Sequence, residues 1–276
     1  MQEEVIDWEK EWAEKMGQTS RISGSDYWNK RAEDYADYIR TSDFEHGRKI
    51  KEIFETEGIL KEDFEVLDIA AGPGSVTVPF AESVKKVTAV EPAEEMCKRL
   101  IENAKKKGLE NIEIINKKWE EVSDAEFENE FDLVVCSHAL WQFPNIGEQL
   151  MRINRVSRAY CCIANGVRSD KAFSEMYQKL GQDTDDSDHF IDSFNILHQR
   201  NILANVKMID TVMRRSVNSG ISMWELFLGK YREPTETDME FIREHVLNNS
   251  KNGIYERKGK MAVVWWKANE LKEGAD

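Results

Sequence analysis

Val66 to Gly74 reads VLDIAAGPG, and this stretch decides how the rest of the chain is understood. Three apolar residues and an acid make a short buried strand, and the run of small residues after them makes a tight turn. Ser75 is placed to cap a following helix, where orphan N–H groups and the positive dipole end gather. Gly72 and Gly74 have no Cβ, so backbone there can come close to a ligand or take positive φ. Glu91 ends the next apolar run, VTAV, at the tip of what should be the neighbouring parallel strand. A carboxylate about twenty residues past such glycines can accept hydrogen bonds from both hydroxyls of a ribose. Together these features point to a nucleoside-containing cofactor; an ordinary strand-to-helix turn is the bland alternative.

The dinucleotide fingerprint wants glycines at its first, third and sixth positions. Counted from Gly72 the third glycine fails, because Thr77 stands there. Counted from Ala70 the spacing is Ala-x-Gly-x-Gly, with Asp68 two residues upstream. That pattern resembles the first motif of class I S-adenosylmethionine-dependent methyltransferases, small-molecule type. Ala70 departs from the usual first glycine of that motif. The segment DYWNKRAEDYADYI puts Trp28, Ala32, Tyr35 and Ile39 on one helical face, and it resembles the Trp-x-x-x-Ala-x-x-Tyr helix that folds over the cofactor pocket in many relatives. The same aromatics, Tyr27 included, could equally cement a helical cap onto the sheet. After the third strand the family carries an acid that meets the adenine amino group; alignment by spacing puts Lys118 there, followed by Trp119. Trp119 either covers the adenine or packs on a neighbouring helix.

From Glu65 onward strands and helices alternate, the signature of a parallel sheet covered on both faces. Strands are expected at EVLDIA, KVTAV, NIEIIN, FDLVVCSH and AYCCIANG, then at VKMIDTVMRRSV and in the closing IYERKGKMAVVWWK. Lys258-Gly259 reads as a turn before that last strand. The expected fold is α/β: a Rossmann-like, mostly parallel seven-stranded sheet with an antiparallel last strand. It forms one domain over 1–276, with a helical cap (1–60), a cofactor-binding core (61–166), a helical lid insertion (167–205), and closing strands with added helices (206–270). Val5, Trp8, Trp12 and Met16 stripe the first helix. Capping-box spacings occur at Ser42/Glu45, Ser222/Glu225 and Thr237/Glu240. The stretch QDTDDSDHF reads as a solvated loop and fits no Ca²⁺ loop, so no metal is expected.

The 276 residues carry a net charge of −14, which disfavours a nucleic-acid partner that needs a basic footprint. No apolar run is long enough to span a bilayer, the opening MQEEVIDWEK gives no signal peptide, and the four cysteines show no C-x-x-C spacing, so a reducing, cytoplasmic setting is expected. The oligomeric state stays open.

The resemblance implies a methyltransferase that uses S-adenosylmethionine, and the helical cap and lid point to a small-molecule acceptor. Its cofactor set is expected to include Tyr27, Trp28, Tyr35, Asp68, Ala70, Gly72, Gly74, Glu91, Pro92, Met96, Lys118, Trp119 and Ser137. His138 ends the fourth strand, where a histidine can take a proton from an incoming nucleophile or simply shape the wall. With His138, Trp141, Tyr177 and His189 are candidates for facing the acceptor. Two rivals remain at this level: a cofactor-binding protein without methyl transfer, and a nicotinamide-dependent oxidoreductase.

Overall fold

A computed structural model describes residues 6–16, 24–167, 176–181, 189–229 and 231–268. Three helices open it: α1 (Trp8–Met16), α2 (Ser25–Thr41) and α3 (Glu45–Thr56). Then β1 (Glu65–Ile69), α4 (Thr77–Ala81), β2 (Lys86–Val90), α5 (Glu94–Lys106), β3 (Ile112–Ile115), α6 (Asp124–Phe127), β4 (Phe131–Ser137), α7 (Ile146–Val156) and β5 (Ser157–Val167) alternate, with α6 the one short helix that the sequence does not announce. The chain closes with α8 (His189–Gln199), β6 (Asn205–Ser216), α9 (Val217–Gly229), α10 (Glu236–Asn248), a two-residue β7 (Ser250–Lys251) and β8 (Ile254–Lys267).

The strand order is β3-β2-β1-β4-β5-β8-β6, with β7 attached to β8. The first five strands are parallel, and β8 runs antiparallel between β5 and β6. Side chains alternate across the sheet, so each strand feeds two cores. Leu67, Ile69, Val134, Cys136, Cys161 and Ile163 face α1, α7 and α8. Val66, Val87, Leu133, Val135, Cys162 and Ala164 face the layer of α3 and α4. All four cysteines are buried free thiols. Among the described residues no helix is long and apolar enough to cross a membrane.

Several local expectations are corrected. The N-cap of α4 is Val76 and no side chain caps the helix, so Ser75 does not cap it. Ser42 and Glu45 do not form a capping box; the Ser42 hydroxyl pairs with both the N–H and C=O of Arg214, and Glu45 Oε2 accepts the Val212 N–H. Tertiary pairing with β6 has taken both side chains. Ser222 lies inside α9, and the capping box of α10 is Thr235 with Asp238, two residues earlier than Thr237/Glu240. β8 runs straight through Lys258-Gly259; the turn is Asn252-Gly253, both at positive φ (53° and 78°).

Of the lid expected over 167–205, Met176, Tyr177 and Leu180 pack with α9 and α10, whereas α8 stands elsewhere. α8 is the crossover helix between β5 and β6 and packs in the face layer, with Phe190, Ile196 and Leu197 in the core and buried Asp192 bonded at 2.9 Å to Lys15 of α1. Most of QDTDDSDHF lies outside the described residues. α1 also serves this face: Trp12 is 1% exposed and its indole N–H donates to the Phe143 carbonyl.

Candidate active site

Strand order reverses between β1 and β4, and ligands of open α/β sheets bind at such a switch point. The loop leaving β1 is bent by left-handed residues: Ala70 at φ 57°, Gly72 at 54° and Gly74 at 91°. Ala70 therefore makes the turn that a glycine makes in the family pattern. A Cβ on Gly72 would meet only Tyr35, at 3.9 Å, so this backbone is open to a ligand. A Cβ on Gly74 would press on Leu100 and Val78 at 3.1 Å, so that glycine serves packing onto α5.

Glu91 stands where the sequence places it. Its carboxylate is 5% exposed; Oε2 accepts the Gly72 N–H at 2.9 Å and Oε1 the Ala93 N–H at 2.8 Å. Each oxygen keeps a lone pair for a further donor. Burial raises its pKa, against the pull of those two N–H groups. Asp68 is not among the described residues that line the two cavities of this site; it accepts the Thr77 hydroxyl at 2.6 Å beneath the loop. Burial pushes its carboxyl up to about 7. Its part is to tie β1 to α4, a correction to the expected cofactor contact.

Two cavities meet here. The smaller, about 60 Å³, is lined by Ala70, Gly72, Glu91, Pro92, Met96 and Ser137 together with Trp28, Tyr35 and His138. The larger, about 300 Å³, shares Trp28, Tyr35 and His138 and continues under Tyr27 and Trp141 toward β6 and β8. The Trp28 indole N–H is buried without a partner at that shared wall. An open backbone at Gly72, a buried carboxylate with spare lone pairs and an unused donor fit a nucleoside cofactor.

His138 is the junction. It sits at φ 56°, a strained value for a residue with a Cβ, held because its N–H donates to Ala164 at 2.7 Å. Its ring stacks on His46 at 4.9 Å and its Nε2 lies 3.2 Å from Met261 Sδ. Burial pushes its imidazole down to about 4. Trp141 donates its indole N–H to the His138 carbonyl at 2.9 Å.

Four expected residues stand elsewhere. Lys118 is exposed; its backbone N–H donates to the Glu121 carboxylate and its carbonyl accepts the Glu121 N–H. Trp119 is 2% exposed in the sheet-face core, with the Arg152 guanidinium 3.8 Å from its ring centroid, so it packs on the helical layer. Tyr177 packs edge-on to Trp224 and Tyr231, and His189 lies against Trp12. Neither lines the cavities. The residues that sequence reasoning missed are His46 of α3, Arg31 and Tyr38 of α2, and Met213 and Arg215 of β6. No motif marks them, although the alternation of Thr211, Met213 and Arg215 does put them on one strand face.

Residues 66–159 match the methyltransferase-domain family. An uncharacterized protein of Haemophilus influenzae is 21% identical over 216 residues, 77% of this chain and 79% of that protein. The YcgJ protein of Bacillus subtilis superposes with a TM-score of 0.53 at 16% identity, covering 83% of this chain and 100% of the other. Magnesium protoporphyrin IX methyltransferase of Synechocystis, solved with bound S-adenosylhomocysteine, superposes with a TM-score of 0.50 at 12% identity, covering 91% and 98%. With the β1 loop, Glu91 and this strand order, the match over 66–159 assigns the chain a class I, Rossmann-like methyltransferase domain of the S-adenosylmethionine-dependent kind.

Proposed function

We propose that this methyltransferase acts on a compact small molecule held in the larger cavity, with the cofactor seated along Ala70, Gly72, Glu91, Pro92, Met96 and Ser137. The observation that carries the reading is the aromatic roof and limited volume of that cavity. α2 and the last turn of α9 roof it, with Trp28, Tyr35 and Phe227 in its wall, and its volume of about 300 Å³ suits one small acceptor. Among the described residues, that roof is formed by helices that precede β1 and follow β6.

When bound, the cofactor supplies an electrophilic methyl group on a positively charged sulfur. The chain's contribution is confinement and alignment, which can lower a barrier by several kcal/mol. Gly72 lets backbone close on the cofactor, and Glu91 has an acceptor lone pair on each oxygen for ribose hydroxyls. His138 is neutral at pH 7 and faces the junction of the two cavities, where it can accept a hydrogen bond from the attacking group as that group loses its proton.

The test is methyl transfer from [methyl-¹⁴C]S-adenosylmethionine into a fractionated cell extract. Label is expected in the deproteinised low-mass fraction. Label confined to RNA or protein, or no transfer above the enzyme-free control, would overturn the small-molecule reading.

A further inference from the structure

The larger cavity is cationic in an acidic protein. Arg31, Arg215, Arg257 and Lys260 line it, and among the described residues no Asp or Glu does, although the chain as a whole carries a net charge of −14. Two of these cations are deeply buried, Arg31 at 3% and Arg215 at 1% exposure. Both lean on one carboxylate: Asp34 lies 2.6 Å from Arg31 and 3.2 Å from Arg215. Two guanidiniums against one carboxylate leave one positive charge in excess. Lys260 is matched by Asp210 at 2.5 Å and adds nothing to that excess.

Aromatic faces shelter the pair. The Arg215 guanidinium lies 4.4 Å from the Tyr38 ring centroid, and Arg31 lies within 6.0 Å of Tyr27, Trp28 and Tyr35. Such contacts offset only part of the cost of burying an ion. Arg31 Nε is moreover buried without a partner. His46 reports the same field: besides burial and His138, the groups that lower its pKa are Lys49, Arg257 and Arg215, all cations. Neither Arg31 nor Arg215 lines the smaller cavity at Gly72 and Glu91, which puts the pair on the acceptor side.

We infer that the acceptor is itself an anion, a compact molecule whose carboxylate or phosphate group completes the Arg31–Asp34–Arg215 cluster in the larger cavity; this rests on the small-molecule reading above. Guanidinium forks bind both groups bidentately. β6 is built to deliver one, because its alternation points Thr211, Met213 and Arg215 to the cavity.

The test begins by measuring S-adenosylhomocysteine binding, since its absence would overturn the cofactor reading and this proposal with it. The saturated complex, in which the cofactor's own carboxylate is already accommodated, is then titrated with benzoate, phenyl phosphate and neutral benzamide. One or both anions are expected to bind about tenfold or more tightly than benzamide. Preference for benzoate identifies a carboxylate acceptor and preference for phenyl phosphate a phosphate one. Arg215→Met should erase most of the difference and leave S-adenosylhomocysteine affinity unchanged. Arg215→Lys, which keeps the charge, should retain the preference in weakened form if the methionine variant does not fold. Benzamide binding as tightly as both anions, or no anion binding at millimolar concentration, would overturn the inference.

Discussion

Glu91 accepts the N–H groups of Gly72 and Ala93 and so braces the loop while offering its spare lone pairs to a ligand. Glu91→Ala removes charge-assisted hydrogen bonds and should weaken S-adenosylhomocysteine binding by about 1.5–3 kcal/mol, roughly tenfold to more than a hundredfold. Calorimetry on the folded variant checks it. Ala70, at φ 57°, holds a conformation that costs a residue with a Cβ about 1 kcal/mol or more. Ala70→Gly should therefore stabilise the protein by about 1 kcal/mol in urea melts; a loss of stability would mean that its methyl matters more than its backbone. His138, with its imidazole pushed from 6.5 down to about 4, is protonated only in acid. Any break in kcat/KM between pH 6 and 8 should accordingly survive in His138→Asn, and a break that vanishes there would assign it to this ring. The stability sign follows from the same depression. The unfolded chain binds the proton more readily, so this group's contribution is full above 6.5 and is lost as pH falls from 6.5 toward 4.

At the scale of elements, the site depends on how α3 and the β6–β8 pair meet the sheet edge. A Cβ on Gly47 would collide with the Ser75 carbonyl oxygen and come within 2.9 Å of Val76 Cα, so α3 lies directly on the backbone of the cofactor loop. Gly47→Ala must push helix and loop apart. It should cost about 1–3 kcal/mol of stability, as overpacking does, and should lower S-adenosylhomocysteine affinity as well; equal stability and affinity would show that the two elements part freely. β5 ends at Val167 opposite Lys260, while β8 begins at Ile254 opposite Ser216. Residues 254–259 thus overhang the parallel strands by about 20 Å at the usual strand rise. That overhang carries Met213, Arg215 and Arg257 above the edge, and Ser42 and Glu45 fasten α2 and α3 to it. The sequence shows the strands; their length past the sheet is a matter of pairing between β6 and β8.

Over the whole molecule, a net charge of −14 surrounds a cavity lined by cations, so small anions and nucleic acids should be treated differently. A phosphate backbone binds chiefly by releasing counterions to a basic surface. The protein is expected to leave a duplex-RNA or heparin column at about 50 mM salt without retention; retention that weakens steeply with salt would point to a polyanionic partner. The strand–helix alternation, the bent loop after β1 and Glu91 at the tip of β2 were legible from the sequence. Each depends on periodicity, on glycine spacing or on pairing between strands that follow one another in the chain. Only tertiary structure decided the wall of the larger cavity. Arg215 meets Asp34 across 181 residues, a pairing that no local pattern announces. The same holds for the errors: Tyr177 and His189 carry suitable chemistry, but aromatic packing against Trp224 and Trp12 holds them outside the cavities. Periodicity tells which face of an element is apolar. Where one isolated polar side chain ends depends on the register and overhang of strands paired far apart in the chain, and that is settled only when the sheet closes.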